Sequence, residues 1–134
     1  MPVIFSRACE YAIQGLVEMA RHPEQRYWRI QDLAETTNTP APFLAKTFQT
    51  LVRNQILNSS KGRGGGFSFA LPTDSISLID IVTAIDGQNL AQSCALGFPK
   101  CGSDNPCPLH DQWGPLRDEI IDVLTKKTLD EFAP

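Results

Sequence analysis

The chain has 134 residues, of which 42% are hydrophobic, and a formal net charge of −3, so we expect one domain with a real hydrophobic core. It contains no run of about 18 or more apolar residues that would span a bilayer. Its first residues, Met-Pro-Val-Ile-Phe-Ser-Arg, also lack the charged start and long apolar region of a signal peptide. We therefore expect a cytoplasmic protein with no membrane partner, in which clustered cysteines bind a metal or carry redox chemistry rather than form disulfides.

Charge is distributed unevenly along the chain. Residues 1–71 contain eight Lys or Arg and five Asp or Glu, whereas residues 72–134 contain four and ten. A basic N-terminal half suits a polyanionic partner such as nucleic acid, with the acidic remainder facing away from it. Segregation of this size also arises by chance, so charge alone does not assign the partner.

The first two predicted elements are helices. Apolar residues recur at helical spacing from Ser6 to about Arg21, with Ser6 as the N-cap, and His22-Pro23 ends the segment. A short second helix is predicted around Ile30 to Ala34.

A third helix is predicted after the turn at residues 38–40, where Thr39 offers a capping hydroxyl and Pro40 takes the first helical position. Pro42 is tolerated because the amides of a first helical turn have no intrahelical acceptor. The residues predicted to form the buried face of this helix are Phe43, Leu44, Thr47, Phe48 and Leu51.

Two short helices joined by a tight turn indicate a helix-turn-helix, whose second helix fits the major groove of DNA. Polar residues alternate with the apolar ones and could face DNA: Lys46, Gln49, Thr50 and Arg53. The alternative interpretation is that these residues form a solvated helix face.

A glycine-rich basic turn, Lys61-Gly-Arg-Gly-Gly-Gly66, follows between two short β-prone runs and predicts a hairpin. Its sequence matches neither the P-loop nor the dinucleotide-binding fingerprint. After a helix-turn-helix, such a hairpin is best interpreted as a wing, with Lys61 and Arg63 contacting phosphates or the minor groove. The residues that we expect to contact DNA are therefore Thr39, Pro42, Phe43, Lys46, Gln49, Arg53, Lys61 and Arg63.

Two more helices are predicted in the second half. An apolar stripe from Leu78 to Ile85 ends at Asp86-Gly87 and should close the compact domain. Pro115 starts a final helix in our prediction, with an apolar stripe at Leu116, Ile120, Val123 and Leu124. A two-fold dimer would bury this stripe and place its two DNA-binding domains about one helical turn of DNA apart.

Between these helices lie three cysteines and a histidine: Cys94, Cys101, Cys107 and His110. Thiolates and imidazole suit zinc or iron–sulfur clusters, whereas calcium and magnesium prefer oxygen ligands. If a helix begins at Cys107, its i, i+3 spacing to His110 puts both on one face. The prolines and glycines between the thiols predict a loop that could surround an ion or cluster.

Taken together, these motifs resemble the winged-helix regulators that include the iron–sulfur cluster regulator IscR and the nitrite-sensitive repressor NsrR. The resemblance covers nearly the whole chain. It is carried by Cys9-Glu-Tyr-Ala-Ile, Phe43-Leu-Ala-Lys, Lys61-Gly-Arg-Gly-Gly-Gly-Phe67, the segment from Ile76 to Gly87, and three cysteines before a terminal helix.

The resemblance implies a homodimer that binds double-stranded operator DNA, is not an enzyme, and holds an iron–sulfur cluster, [2Fe-2S] or [4Fe-4S]. It carries the cluster-ligand role to Cys94, Cys101 and Cys107. The fourth ligand is His110, as in IscR-like members, or Glu10 contributed across the dimer, as in NsrR-like members. Structural alternatives are a capping role for His110 and a surface ion pair for Glu10.

Three positions depart from the family pattern. Lys61-Gly-Arg63 replaces the usual Arg-Gly-Pro of the wing, and Ala45 stands where some members carry an acidic residue, so operator preference is expected to differ. Cys9 is outside the family's ligand set, and its place on the apolar side of a helix predicts a small core residue.

The predicted architecture is therefore mainly α with a small β-hairpin wing. We divide it into a winged helix-turn-helix domain (1–87), a cluster-binding loop (88–111) and a long C-terminal dimerisation helix (112–134). The predicted function is a transcriptional regulator, a repressor, whose operator affinity depends on a cluster that senses redox state, oxygen, nitric oxide or iron, with no small-molecule substrate.

Two alternatives remain for the cysteines. Zinc at Cys94, Cys101, Cys107 and His110 would give a common tetrahedral site. A redox enzyme would use Cys101 or Cys107 as a nucleophile, but no Cys-x-x-Cys pair or obvious base accompanies them.

Overall fold

A computed structural model describes residues 5–87 and 108–133. In these ranges the elements are α1 (Arg7–Arg21), α2 (Ile30–Thr37), α3 (Ala41–Arg53), β1 (Leu57–Ser60), β2 (Gly66–Phe69), α4 (Leu78–Asp86) and α5 (His110–Lys126). Short 3₁₀ turns cover Thr73–Ser75 and Leu129–Phe132. The prediction of a mainly helical winged-helix fold with one β-hairpin is confirmed.

Helix α1 is capped as its sequence predicts. The Ser6 hydroxyl accepts a hydrogen bond from the Cys9 amide at 3.0 Å, which satisfies one of the free amides of the first turn. The helix buries its apolar side against α3, and Gly15 lets the two approach: a Cβ there would lie 2.9 Å from the Phe48 ring.

The turn between α2 and α3 differs from the prediction at its cap. Asn38 adopts the left-handed conformation that ends α2, with φ of 56°. The N-cap of α3 is Pro40 rather than Thr39, because the Thr39 hydroxyl lies 2.9 Å from that of Thr37. Pro42 occupies the second helical position, where a missing amide leaves no intrahelical hydrogen bond unmade.

The hairpin is an antiparallel pair in which Leu57 faces Phe69 and Ser60 faces Gly66. Trp28 extends this sheet by one residue: its amide donates to the Phe67 carbonyl at 2.9 Å, and the Phe67 amide donates to the Trp28 carbonyl at 2.8 Å. Gly66, with φ of 142°, allows this close approach, because a Cβ there would lie 2.4 Å from the Trp28 carbonyl oxygen.

The last helix begins earlier than predicted. Helix α5 starts at His110 and contains Pro115 in its interior, so the prediction that Pro115 starts the helix is wrong. Pro115 is the sixth of seventeen helical residues, and its missing amide removes one hydrogen bond near the N-terminal end of the helix.

The helix ends at Lys126, and the chain then pairs with the residues around the start of α4. The Leu78 amide donates to the Lys127 carbonyl at 2.9 Å, and the Leu129 amide donates to the Ile76 carbonyl at 3.0 Å. Leu129 is fully buried in the main core, which joins α1, α2, α3 and the hairpin. A second, smaller cluster contains Cys9, Val82 and Leu124 and lies between α1, α4 and α5.

Candidate nucleic-acid interface and sensor segment

Helix α3 has two chemically distinct sides. Leu44, Thr47, Phe48 and Leu51 are buried, as the sequence predicts. The other side exposes Lys46, Gln49 and Arg53, and no acidic residue occurs in the helix. The Arg53 guanidinium donates to the Thr50 hydroxyl at 3.0 Å, which leaves its remaining donors available to a phosphate.

Phe43 does not belong to the buried face, contrary to the prediction. Its side chain is 48% exposed, near the N-terminal end of α3. One edge packs on Tyr11 of α1, with ring centroids 5.6 Å apart and planes at 80°. Thr39, by contrast, is buried, which makes it the least accessible of the residues expected to contact DNA.

The tip of the hairpin is exposed and basic. Lys61 and Arg63 are both exposed, and the turn that contains them has positive φ values of 91° at Gly62 and 80° at Gly64. The Gly65 amide donates to the Gly62 carbonyl at 3.1 Å and closes the turn. Two exposed cations at the end of a short sheet offer charge that complements the phosphates of a nucleic-acid backbone.

The predicted cluster cysteines Cys94, Cys101 and Cys107 lie outside the described residues. His110 is the first residue of α5, but its side chain is not among the parts of the chain that the structure describes. Within residues 5–87 and 108–133, no three His, Cys, Asp or Glu side chains come together as a metal site.

Glu10, the alternative fourth ligand, lies in the first turn of α1 and is partly exposed. Its carboxylate is 3.9 Å from the Arg7 guanidinium, with both side chains accessible to water. A surface pair of this kind contributes little stability, so Glu10 is free to take another partner at low cost.

Cys9 is a buried core residue, as predicted, with no exposed surface. Burial, together with the negative charges of Asp86 and Glu10, raises the pKa of the Cys9 thiol to about 12. The thiol therefore stays protonated at neutral pH and is a poor nucleophile.

An interaction that the sequence did not predict joins the start of α1 to the end of α4. The Ser6 amide donates to Asp86 Oδ2 at 3.0 Å, and the Ser6 hydroxyl donates to Asp86 Oδ1 at 2.5 Å. Asp86 is the last residue of α4, so this clamp fixes the helix that carries Glu10 to the point where the cysteine segment begins. Eighty residues separate the two partners, and no local pattern marks the pairing.

Two further residues position the interface without having been predicted. Tyr11 supports Phe43, and Trp28 pairs with strand β2 beside the turn of the wing. Tyr11 lies at a helical position adjacent to the apolar stripe and could have been found from that spacing; a one-residue bridge such as that of Trp28 has no periodic signal.

A helix-turn-helix with a cationic, acid-free second helix, followed by a basic hairpin, defines a winged-helix DNA-binding protein. In the part of the chain that the structure covers, no helix has the length and apolarity needed to cross a membrane. Residues 5–134 match the Rrf2 family, described as iron-dependent transcriptional regulators, and the chain belongs to this family.

Relatives agree with this assignment. The chain is 32% identical over 132 residues to a helix-turn-helix-type transcriptional regulator of Aquifex aeolicus, covering 97% of this chain and 91% of the relative. It is 28% identical over 123 residues to the regulator IscR of Pectobacterium atrosepticum, covering 92% of this chain and 74% of the relative.

Solved structures show the same fold. CymR, the global cysteine regulator of B. subtilis, matches with a TM-score of 0.79 at 21% identity, over 96% of this chain and 95% of that one. IscR of T. potens matches with a TM-score of 0.71 at 21% identity, over 94% and 83%.

Proposed function

We propose that this protein is a homodimeric repressor that binds operator DNA through α3 and the wing, and that an iron–sulfur cluster controls its affinity. The observation that carries the proposal is the position of the three sensor cysteines. Their segment begins directly after α4, which is clamped to α1, and ends where α5 begins. Because this segment joins α4 to α5, a change in it can be transmitted both to the winged-helix part of the chain and to the last helix.

The donor set fits an iron–sulfur cluster. Cys94, Cys101 and Cys107 supply three soft thiolates, and His110 or Glu10 supplies a harder fourth ligand. When bound, such a cluster supplies iron that responds to oxygen, nitric oxide or redox change. We favour His110, which is in the same chain, over Glu10 contributed across the dimer.

The dimer proposal is supported by the outer side of α5. Leu116 is 53% exposed and Val123 is 60% exposed, one heptad apart on the same helix side, whereas Leu124 packs into the core. A second copy related by two-fold symmetry would cover these side chains with the same patch of its own.

Control by the cluster requires that cluster binding and DNA binding be linked through two arrangements of the dimer. A cluster that binds one arrangement of the dimer more tightly than another changes operator affinity by at most the ratio of its affinities for the two arrangements. The Ser6–Asp86 clamp is the chain's own connection between the cysteine segment and α1, and α1 packs directly on α3.

Anaerobic purification of the full chain tests the proposal. We expect coloured protein containing iron and sulfide, with operator affinity that differs between the loaded and the cluster-free forms at fixed salt. Colourless protein with one zinc per chain would support the zinc alternative. Equal affinity of the two forms would exclude control by the cluster while leaving DNA binding intact.

Separate variants distinguish the candidates for the fourth ligand. Loss of bound iron in His110→Ala but not in Glu10→Ala assigns the role to His110, and the reverse result assigns it to Glu10. Arg7→Ala is the control, because it removes the ion-pair partner of Glu10 without removing a donor.

A further inference from the structure

The first turn of α3 contains no group that can hydrogen-bond a base through its side chain. Ala41, Pro42 and Phe43 have apolar side chains, and Pro42 also lacks an amide N–H. Thr39, just before the turn, is buried with its hydroxyl against that of Thr37. The first polar side chain on the exposed face is Lys46, almost one helical turn later.

Phe43 is the large member of this apolar turn, and its ring is held in place. A single exposed apolar side chain is common on protein surfaces and decides nothing by itself. Here, however, Tyr11 packs against the ring in an edge-to-face arrangement at 5.6 Å. Because the ring is already ordered, little conformational entropy would be lost when the exposed part contacts a partner.

The surroundings of Phe43 indicate which partner it contacts. Lys46 follows at i+3 and is exposed, Gln49 and Arg53 continue the exposed polar face, and α3 has no acidic residue. An apolar group on a cationic helix face suits a polyanion that also presents an apolar group. In the major groove, the C5-methyl of thymine is the apolar group that base edges present.

We propose that Phe43, supported by Tyr11, reads a thymine methyl group in each operator half-site and is a specificity-determining residue. This inference rests on the proposed function, because it requires that α3 enters the major groove of an operator. It predicts that recognition beneath the N-terminal end of α3 depends on methyl contact, whereas Lys46 and Gln49 read hydrogen-bonding groups further along.

The test uses the anaerobically purified full chain and a duplex selected by it from a random-sequence pool. Each thymine of that duplex is replaced in turn by uracil, which removes only the methyl group. At one position in each half-site, we expect uracil to weaken binding by about fourfold, the factor for one methyl removed from apolar contact. Phe43→Ala should bind the thymine and uracil duplexes equally.

Variants of the neighbouring residues serve as controls. Gln49→Ala should weaken binding but retain the uracil effect, because it leaves the Phe43 ring in place. Tyr11→Phe should retain the effect, since the edge-to-face contact survives, whereas Tyr11→Ala should reduce it. Unfolding temperatures of all variants should show that each is folded at the temperature of the binding measurement.

A second arm tests the methyl group on another base. At the sensitive position, a cytosine·guanine pair is compared with a 5-methylcytosine·guanine pair. Wild-type protein should prefer the methylated form by about the same factor, and Phe43→Ala should not distinguish the two.

Three outcomes would overturn the proposal. If uracil has no effect at any position in an otherwise tightly bound duplex, methyl reading is wrong and operator binding stands. If Phe43→Ala keeps the uracil effect, another residue reads the methyl. If no duplex is selected at all, the proposed operator binding fails and the reading of thymine fails with it.

Discussion

Helices α3 and α5 are both amphipathic, but their exposed sides differ in charge and polarity. The exposed side of α3 carries Lys46, Gln49 and Arg53 and no acidic residue. The exposed residues of α5 include two large aliphatic side chains, Leu116 and Val123, and four acidic ones, Asp111, Asp118, Glu119 and Asp122.

This difference separates two kinds of interface. A cationic helix attracts the phosphates of DNA, whereas an acidic helix is repelled by them. Exposed aliphatic side chains spaced by seven residues instead suit a helix of a second copy. The proposed function therefore assigns one surface to nucleic acid and another to a second copy of the chain, and changes in one should be separable from changes in the other.

The largest expected effect comes from charging the aliphatic side of α5. Leu116→Lys with Val123→Lys should prevent dimerisation, because both side chains would be buried in the proposed dimer. Operator affinity should fall by about 100-fold or more, since the winged helix of each monomer then binds DNA without that of a second copy. Analytical ultracentrifugation and fluorescence anisotropy measure the two effects.

A matched control separates burial from charge. Asp118→Asn with Thr125→Lys raises the charge of α5 by the same two units, at residues that are already polar and exposed. This control should remain dimeric. A dimeric Leu116→Lys/Val123→Lys variant would show that the exposed aliphatic residues of α5 are not the interface.

A substitution in the hairpin should have the opposite effect, weakening DNA binding without disturbing the dimer. Gly66→Ala places a Cβ only 2.4 Å from the Trp28 carbonyl oxygen, so the Trp28–Phe67 bridge must shift or open. We expect a loss of about 3 kcal/mol in the free energy of unfolding and weaker DNA binding, with the dimer intact in the native state. Urea unfolding checks the first expectation.

Gly64→Ala is the control for Gly66→Ala. Gly64 also has a positive φ, of 80°, but a Cβ there would meet nothing within 4 Å. Only the cost of the left-handed conformation remains, about 1 kcal/mol. Equal losses in the two variants would mean that backbone strain, and not the contact with Trp28, explains the effect.

The elements that the sequence predicted correctly are those with a local signal. Ser6 caps α1, and apolar spacing located α2, α3 and α4, because capping and helical periodicity depend on residues within one or two turns. The wing was equally predictable, since its glycines at Gly62 and Gly64 supply the positive φ values of a tight turn.

The errors arose where a residue had a second option. Thr39 was predicted to cap α3, but its hydroxyl lies beside that of Thr37 instead. Pro115 was predicted to start α5, yet an established helix tolerates one missing hydrogen bond. The Ser6–Asp86 clamp and the Trp28 bridge join distant residues, which no local pattern reports.

The candidate site divides in the same way. The structure exposes the polar residues of α3 and the wing that were expected to contact DNA. Thr39 is buried, and Phe43, which was predicted to lie on the buried face, is exposed. The roles of all these residues in binding stay predictions. The assignment of Cys94, Cys101, Cys107 and His110 also stays a prediction, because it depends on ligand chemistry and on the family resemblance rather than on periodicity.

The smallest expected effect concerns the inner side of α5, where Leu124 and Val82 share a cluster with Cys9. The pKa of the Cys9 thiol is raised from 9.0 to about 12 in the folded protein, mainly by burial. Above about pH 9, the unfolded chain therefore loses the proton while the folded chain retains it, so the stability due to this group decreases as pH rises.

Cys9→Ala isolates this contribution, because all other thiols titrate equally in both proteins. Between pH 7.5 and pH 10, wild-type protein should lose about 1 kcal/mol more of its free energy of unfolding than Cys9→Ala, as measured by urea unfolding of each at both values. An equal loss in both proteins would indicate that the thiol ionises in the folded state. Water would then reach the small hydrophobic cluster of Cys9, Val82 and Leu124 on the inner side of α5.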